Sequence, residues 1–127
     1  MQYFYINQNS TLNTLRVELL EETIDGYKRE TFNKAIQNAD VTFSMWDECG
    51  ELKISNAPCF IKEINNHSCE SKFIIEYQWK KRDTKTKGVF TGRFKINFKN
   101  DIYEDGVEFP VGELVVPINE ELKIMVK

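Results

Sequence analysis

Hydrophobic and polar positions alternate along most of this chain. In residues 73–98, FIIEYQWKKRDTKTKGVFTGRFKINF, Phe73, Ile75, Tyr77 and Trp79 share one phase, while Lys72, Glu76, Gln78 and Lys80 occupy the other, with Ile74 as its exception. Beyond a charged turn, Phe90, Phe94, Ile96 and Phe98 fall in phase with Gly92, where a small residue is needed, and Thr91, Arg93, Lys95 and Asn97 fall opposite. A period of two is the signature of a strand with one buried face. The stretch therefore predicts two long strands joined as a hairpin with a charged tip.

The same reading extends in both directions. Tyr3 to Ile6 is apolar and aromatic and precedes the polar run NQNST, which predicts a short strand or arm within residues 1–10. Leu15, Val17 and Leu19 alternate with Arg16 and Glu18, predicting a strand over about 12–20. Phe32, Ala35, Ile36 and Ala39 recur instead at helical spacing, so a short amphipathic helix is expected over 29–38, with Asn38 near its end. Val41, Phe43 and Met45 alternate with Thr42, Ser44 and Trp46; the turn Asp47-Glu48-Cys49-Gly50 follows, and a returning strand places Leu52 and Ile54 inward until Asn56-Ala57-Pro58 stops it. A strand from Cys59 to Ile64, a surface turn in NDIYEDG, a strand over 114–116 broken at Pro117, and a last one through Leu122, Ile124 and Val126 complete the pattern. Periodicity kept to the last residue predicts that this end is paired within a sheet. Eight or nine short strands with one short helix are the pattern of an all-β antiparallel sandwich in a single domain over 1–127. Counting strands leaves a closed barrel open as the alternative.

Composition narrows the partners. At 127 residues, 41% of them hydrophobic and 13% aromatic, the chain can bury roughly two-thirds of the surface of its unfolded form. Seventeen basic against twenty acidic residues give a charge of −3, so there is no cationic excess to offset phosphate repulsion and no nucleic-acid partner is expected. The opening MQYFYINQ has neither the cationic start nor the apolar core of a secretory signal, and no run reaches the length of a membrane span, so a soluble product made in a cytoplasm, with no membrane partner, is expected.

Candidate chemistry is sparse. Cys49, Cys59 and Cys69 are odd in number and too widely spaced for a CxxC unit, which points to reduced thiols. His67 is the only histidine, and its neighbours Ser68 and Cys69 cannot form a triad with it on one loop. The acidic pairs Glu21-Glu22, Glu104-Asp105 and Glu120-Glu121 are turn charges, not carboxylates set across a cleft. No catalytic residue, metal ligand or cofactor is therefore assigned, and a non-enzyme is expected. The candidate contacts are those of an interface: the aromatic start Tyr3, Phe4 and Tyr5; Trp46, out of phase with Phe43 and Met45; and the basic cluster Lys80, Lys81, Arg82, Lys85 and Lys87, which could register an acidic partner. Trp79, in phase with its apolar neighbours, is assigned to the core.

The order of these features resembles a known group. VTFSMWDECGELKISNAPCFI followed by YQWKKRDTKTKGVFTGRFKINF is similar to the N-terminal immunoglobulin-like module of bacteriophage baseplate upper proteins and related virion proteins, with their Y-x-W strand, acidic-Thr turn and aromatic-x-G-x-F strand. Tyr77, Trp79, Asp83, Thr84, Gly88, Phe90, Gly92 and Phe94 match residue by residue, and FPVGELVVPINEELKIMV looks like the closing segment of that family. The likeness covers residues 41–126; the helix around Phe32 is a departure from it. It implies an immunoglobulin-like sandwich without catalytic residues, present in several copies or as a homo-oligomer in a virion assembled in the host cytoplasm. Its expected partners are other virion structural proteins of tail, neck or baseplate, with fibre carriage as one such role. A capsid decoration or head-fibre attachment protein is the alternative within that class, and a carbohydrate-binding module using Trp46 is the alternative outside it.

Overall fold

The computed structural model describes residues 2–19, 36, 39–65, 71–98, 103–104, 107–108, 112–117 and 120–127. Eleven strands are present among them: β1 (Gln2–Ile6), β2 (Leu15–Leu19), β3 (Asp40–Trp46), β4 (Leu52–Pro58), β5 (Phe60–Asn65), β6 (Ser71–Tyr77), β7 (Gly88–Phe98), β8 (Tyr103–Glu104), β9 (Val107–Glu108), β10 (Gly112–Val116) and β11 (Leu122–Val126). The larger sheet runs β1-β11-β7-β3-β4, with β10 also paired to β7; the smaller runs β2-β6-β5; β8 and β9 form a two-stranded hairpin in the segment expected to be a plain turn. Strands 2, 6 and 5 thus stand where B, E and D stand in an immunoglobulin-type sandwich, and strands 11, 7, 3 and 4 where G, F, C and C′ stand. The fold is an all-β sandwich, and among the described residues no ladder joins its two sheets into a barrel.

Inward-facing aromatic residues hold the sheets together. Phe43 of β3 meets Tyr77 of β6 across the interior at 4.7 Å between ring centroids, touches Phe94 of β7 at 5.0 Å, and receives Trp79 edge-on at 5.8 Å. Offset and edge-to-face geometries of this kind add about 0.5–1.5 kcal/mol per pair beyond area burial. Phe73, Ile75, Tyr77 and Trp79 are all buried, as are Phe90, Phe94, Ile96 and Phe98, so the alternation assigned the core correctly on both strands. Trp79 Nε1 is buried and has no hydrogen-bond partner among the described residues.

Several expectations need correction. The strands of residues 73–98 do not form a hairpin: β6 belongs to the smaller sheet and β7 to the larger, so the charged stretch between them crosses from one sheet to the other. Alternation states which face a residue takes, not which strand it pairs with, and both arrangements share one pattern. The sandwich is not wholly antiparallel, because β1 lies parallel to β11, Gln2 opposite Leu122 and Ile6 opposite Val126. The stop assigned to Asn56-Ala57-Pro58 falls only at Pro58: β4 runs on through Asn56 and Ala57, with register shifts against β3 and a positive φ of 48° at Asn56. That irregularity also undoes the predicted phase of Leu52, which is exposed while Ile54 is buried. The helix predicted over 29–38 lies outside the described residues except for Ile36, which is buried in the core.

At the C-terminal side one edge of β7 serves two strands. Val116 lies opposite Phe94 and Leu122 opposite Gly92, so the chain advances six residues while β7 advances two. Pro117, directly after β10, is joined to Val116 by a cis peptide bond.

Candidate interaction surfaces

The β6–β7 crossover is built on a single 3₁₀ turn, Lys81–Thr84. Asp83 organises it: its Oδ2 accepts from the Tyr77 hydroxyl at 2.5 Å and from the Lys80 amide at 2.8 Å, and its own amide donates to the Lys80 carbonyl. Burial, followed by the hydrogen bond to Asp83, holds the Tyr77 hydroxyl well above its ordinary ionisation range. Thr84 is fully buried and donates through Oγ1 to the Ser10 carbonyl at 2.9 Å. The loop after β1 is laced to the same crossover: the Asn9 amide donates to the Thr84 carbonyl, Gln8 Nε2 to the Lys85 carbonyl, and Gln78 Nε2 to the Thr11 carbonyl. Sequence reasoning missed these contacts because they join segments about 70 residues apart in polar loops, where no periodicity marks a partner.

This framework fixes the backbone beneath the basic cluster. Lys80, Lys81, Arg82, Lys85 and Lys87 are all exposed, and none has an ion-pair partner among the described residues. Lys80 and Arg82 line a groove of about 470 Å³ with Lys53, Asn56 and Asp83. Lys53 is already engaged by Glu51 at 3.2 Å and Asp47 at 3.7 Å. The cations of the groove without an ion pair among the described residues are thus Lys80 and Arg82 of the crossover. The cluster is a hydrogen-bonded shelf between the sheets, not the tip of a protruding hairpin.

Trp46 lies on the outer face of the larger sheet, half-buried, in a groove of about 410 Å³ lined also by Ser44, Leu52, Asn56, Arg93 and Val115. The Arg93 guanidinium stands over its ring at 5.6 Å, and so occupies an indole face on which a sugar would stack. The turn below it follows from its sequence. Asp47 Oδ1 accepts from the amides of Cys49 at 2.9 Å and Glu51 at 2.8 Å, and Gly50 supplies the φ of +83° that closes the reversal.

Tyr3, Phe4 and Tyr5 do not form a detached arm. They belong to β1, whose inward side places Ile6 in the core and Phe4 against Trp79 at 5.8 Å. Tyr3 and Tyr5 stack on the outer side, with Lys127 Nζ 4.7 Å from the Tyr5 ring centre. The three groups of predicted contacts therefore occupy separate places: a sheet edge, a sheet face and a crossover.

Among the described residues no group of three or more His, Cys, Asp or Glu side chains is placed to hold a metal ion, and no helix is long and apolar enough to cross a membrane. His67 and Cys69 lie outside the described residues; Cys49 and Cys59 are free thiols, and burial pushes Cys59 up to about 12. No family model matches the chain, and neither a curated protein nor a solved structure matches it significantly.

Proposed function

We propose that this chain is a non-catalytic assembly module of a bacteriophage virion, an immunoglobulin-like sandwich that docks on a tail, neck or baseplate protein through the basic shelf of its β6–β7 crossover. The observation that carries the docking surface is the set of five exposed cations, without an ion pair among the described residues, on and beside a turn held by Tyr77, Asp83 and Thr84. A pre-ordered cationic shelf favours an acidic protein surface: little side-chain or backbone order has to be acquired on binding beyond that of the lysines themselves. The virion setting is supported by the motif resemblance, whose sandwich has the strand order found here. Asp83 and Thr84, part of that motif, act in the scaffold, so the motif marks the framework and the neighbouring basic residues supply the contact.

The test is the protein composition of purified particles of the phage that encodes the chain. The wild-type chain is expected in them, and the folded Lys81→Glu/Arg82→Glu variant is expected to be depleted at least tenfold, the effect of about 1.4 kcal/mol of lost binding. Absence of the wild-type chain from particles, or normal incorporation of the charge-reversed one, would refute the proposal.

A further inference from the structure

The edges of the two sheets are not alike. Among the described residues β1 and β4 end the main path of the larger sheet, β10 is a further edge of it, paired only with β7, and β2 and β5 end the smaller. Four of these edges carry devices that discourage pairing with another chain. β4 has Lys53, the left-handed Asn56, shifted register and Pro58; β10 has Glu113; β2 has Arg16 and Glu18; β5 has Lys62 and Glu63. β1, QYFYI, has none of them, and no charged side chain precedes Arg16 in a chain that is 29% charged.

The backbone of β1 is directed to suit. The Gln2 amide donates to the Glu121 carbonyl, the Lys127 amide to the Ile6 carbonyl and the Gln8 amide to the Lys127 carbonyl, so even-numbered residues serve β11. In a parallel ladder the alternate residues then point away from it, and the Tyr5 amide faces outward. On the core side Phe4 packs on Trp79 but is only partly buried, leaving apolar surface at the open margin of the sandwich.

We propose that β1 is a self-pairing edge, at which two copies of this chain join their larger sheets by antiparallel β1–β1 pairing about a two-fold axis. The occupant is a second copy because β1 carries no charged side chain of its own; the nearest charges, Lys127 beside the Tyr5 ring and Glu120 at the Gln2 side chain, lie at the two ends of the strand. A strand of several charges would lose their hydration against the uncharged side chains of β1, whereas β1 of another copy is equally uncharged and five residues long. Such pairing is isologous and closes at two copies, and a centre near Phe4 sets the two Phe4 rings against each other at the exposed margin. The proposal does not depend on the basic shelf or on the virion reading, since it concerns the isolated chain.

Sedimentation velocity of the full chain over a concentration series tests it. Wild type and Tyr5→Phe are expected to shift from monomer to dimer as concentration rises, while Tyr5→Lys, which places a second cation beside Lys127 at the edge, stays monomeric and folded, with a cooperative thermal melt. Hydrogen exchange of the wild type supplies the second reading: the Tyr5 amide gains protection with concentration. A monomer at every concentration, a Tyr5→Lys variant that dimerises like wild type, or a dimer without added protection at Tyr5 overturns the proposal.

Discussion

Gly92 lies beneath the ring of Phe43, and a Cβ there would stand 2.8 Å from Phe43 Cε1 and 3.0 Å from Cζ. That ring has nowhere to go, because Tyr77, Phe94 and Trp79 press on it from other directions. Gly92→Ala is therefore expected to destabilise by about 1–3 kcal/mol, the range for overpacking a filled core, and to lower the melting temperature by several degrees; an unchanged melt would mean that the ring relaxes freely. The need for a small residue at this position was legible in the strand's phase, but the identity of the residue above it was not. Tyr77 illustrates the same limit. Its alternation marked it as buried, while its hydroxyl's partner, six residues later in a charged stretch, carried no signal. Tyr77→Phe removes a hydrogen bond to a carboxylate and is expected to cost about 1.5 kcal/mol in denaturant unfolding at neutral pH, the low end for charged acceptors because Asp83 retains some solvent contact.

At the scale of elements, the strands were largely readable and their neighbours were not. The inward residues of β3, β7 and β11 followed directly from alternation, since each of these strands is buried on one face and regular. β4 was misread at Leu52 because a bulged edge strand changes phase without changing composition. The N-terminal strand was recognised as β, yet its parallel partner lies at the opposite end of the chain, beyond the reach of any local pattern. That pairing reverses the consequence of removing it. A detachable arm would leave a stable domain behind, whereas deletion of residues 1–9 here strips Ile6 from the core, Phe4 from Trp79 and one edge from β11. Burial of an Ile alone contributes about 1.5–3 kcal/mol, so with Phe4 the loss is on the order of 3–5 kcal/mol, a large share of the roughly 5–15 kcal/mol typical of a domain. The truncated chain is expected to melt far below wild type or to be recovered insoluble; a melt equal to wild type would show that β1 contributes nothing to the fold.

In the whole molecule the chain passes between the sheets at places that include the β4–β5 and β6–β7 connections, and a titratable group sits at each of these two. Cys59 lies between β4 and β5, its amide bonded to the Val41 carbonyl at 2.9 Å, and burial pushes its thiol up to about 12. Tyr77 closes β6, and burial together with Asp83 raises its hydroxyl. Both groups favour the neutral, protonated form in the folded chain, whereas in the unfolded chain a thiol ionises near about 8.5 and a phenol near about 10. Between those values and the raised ones the unfolded state has lost protons that the folded state keeps, so stability falls as pH rises. The contribution is complete below about pH 8.5, starts to decline through Cys59, and declines further through Tyr77 above about pH 10. Denaturant midpoints measured under reducing conditions are therefore expected to be flat from neutrality to about pH 8.5 and to drop beyond it. Cys59→Ala postpones the onset to the tyrosine range, and Tyr77→Phe leaves the onset in place but softens the later fall. Two variants with the same alkaline profile as wild type would show that neither connection governs how the sheets separate at high pH.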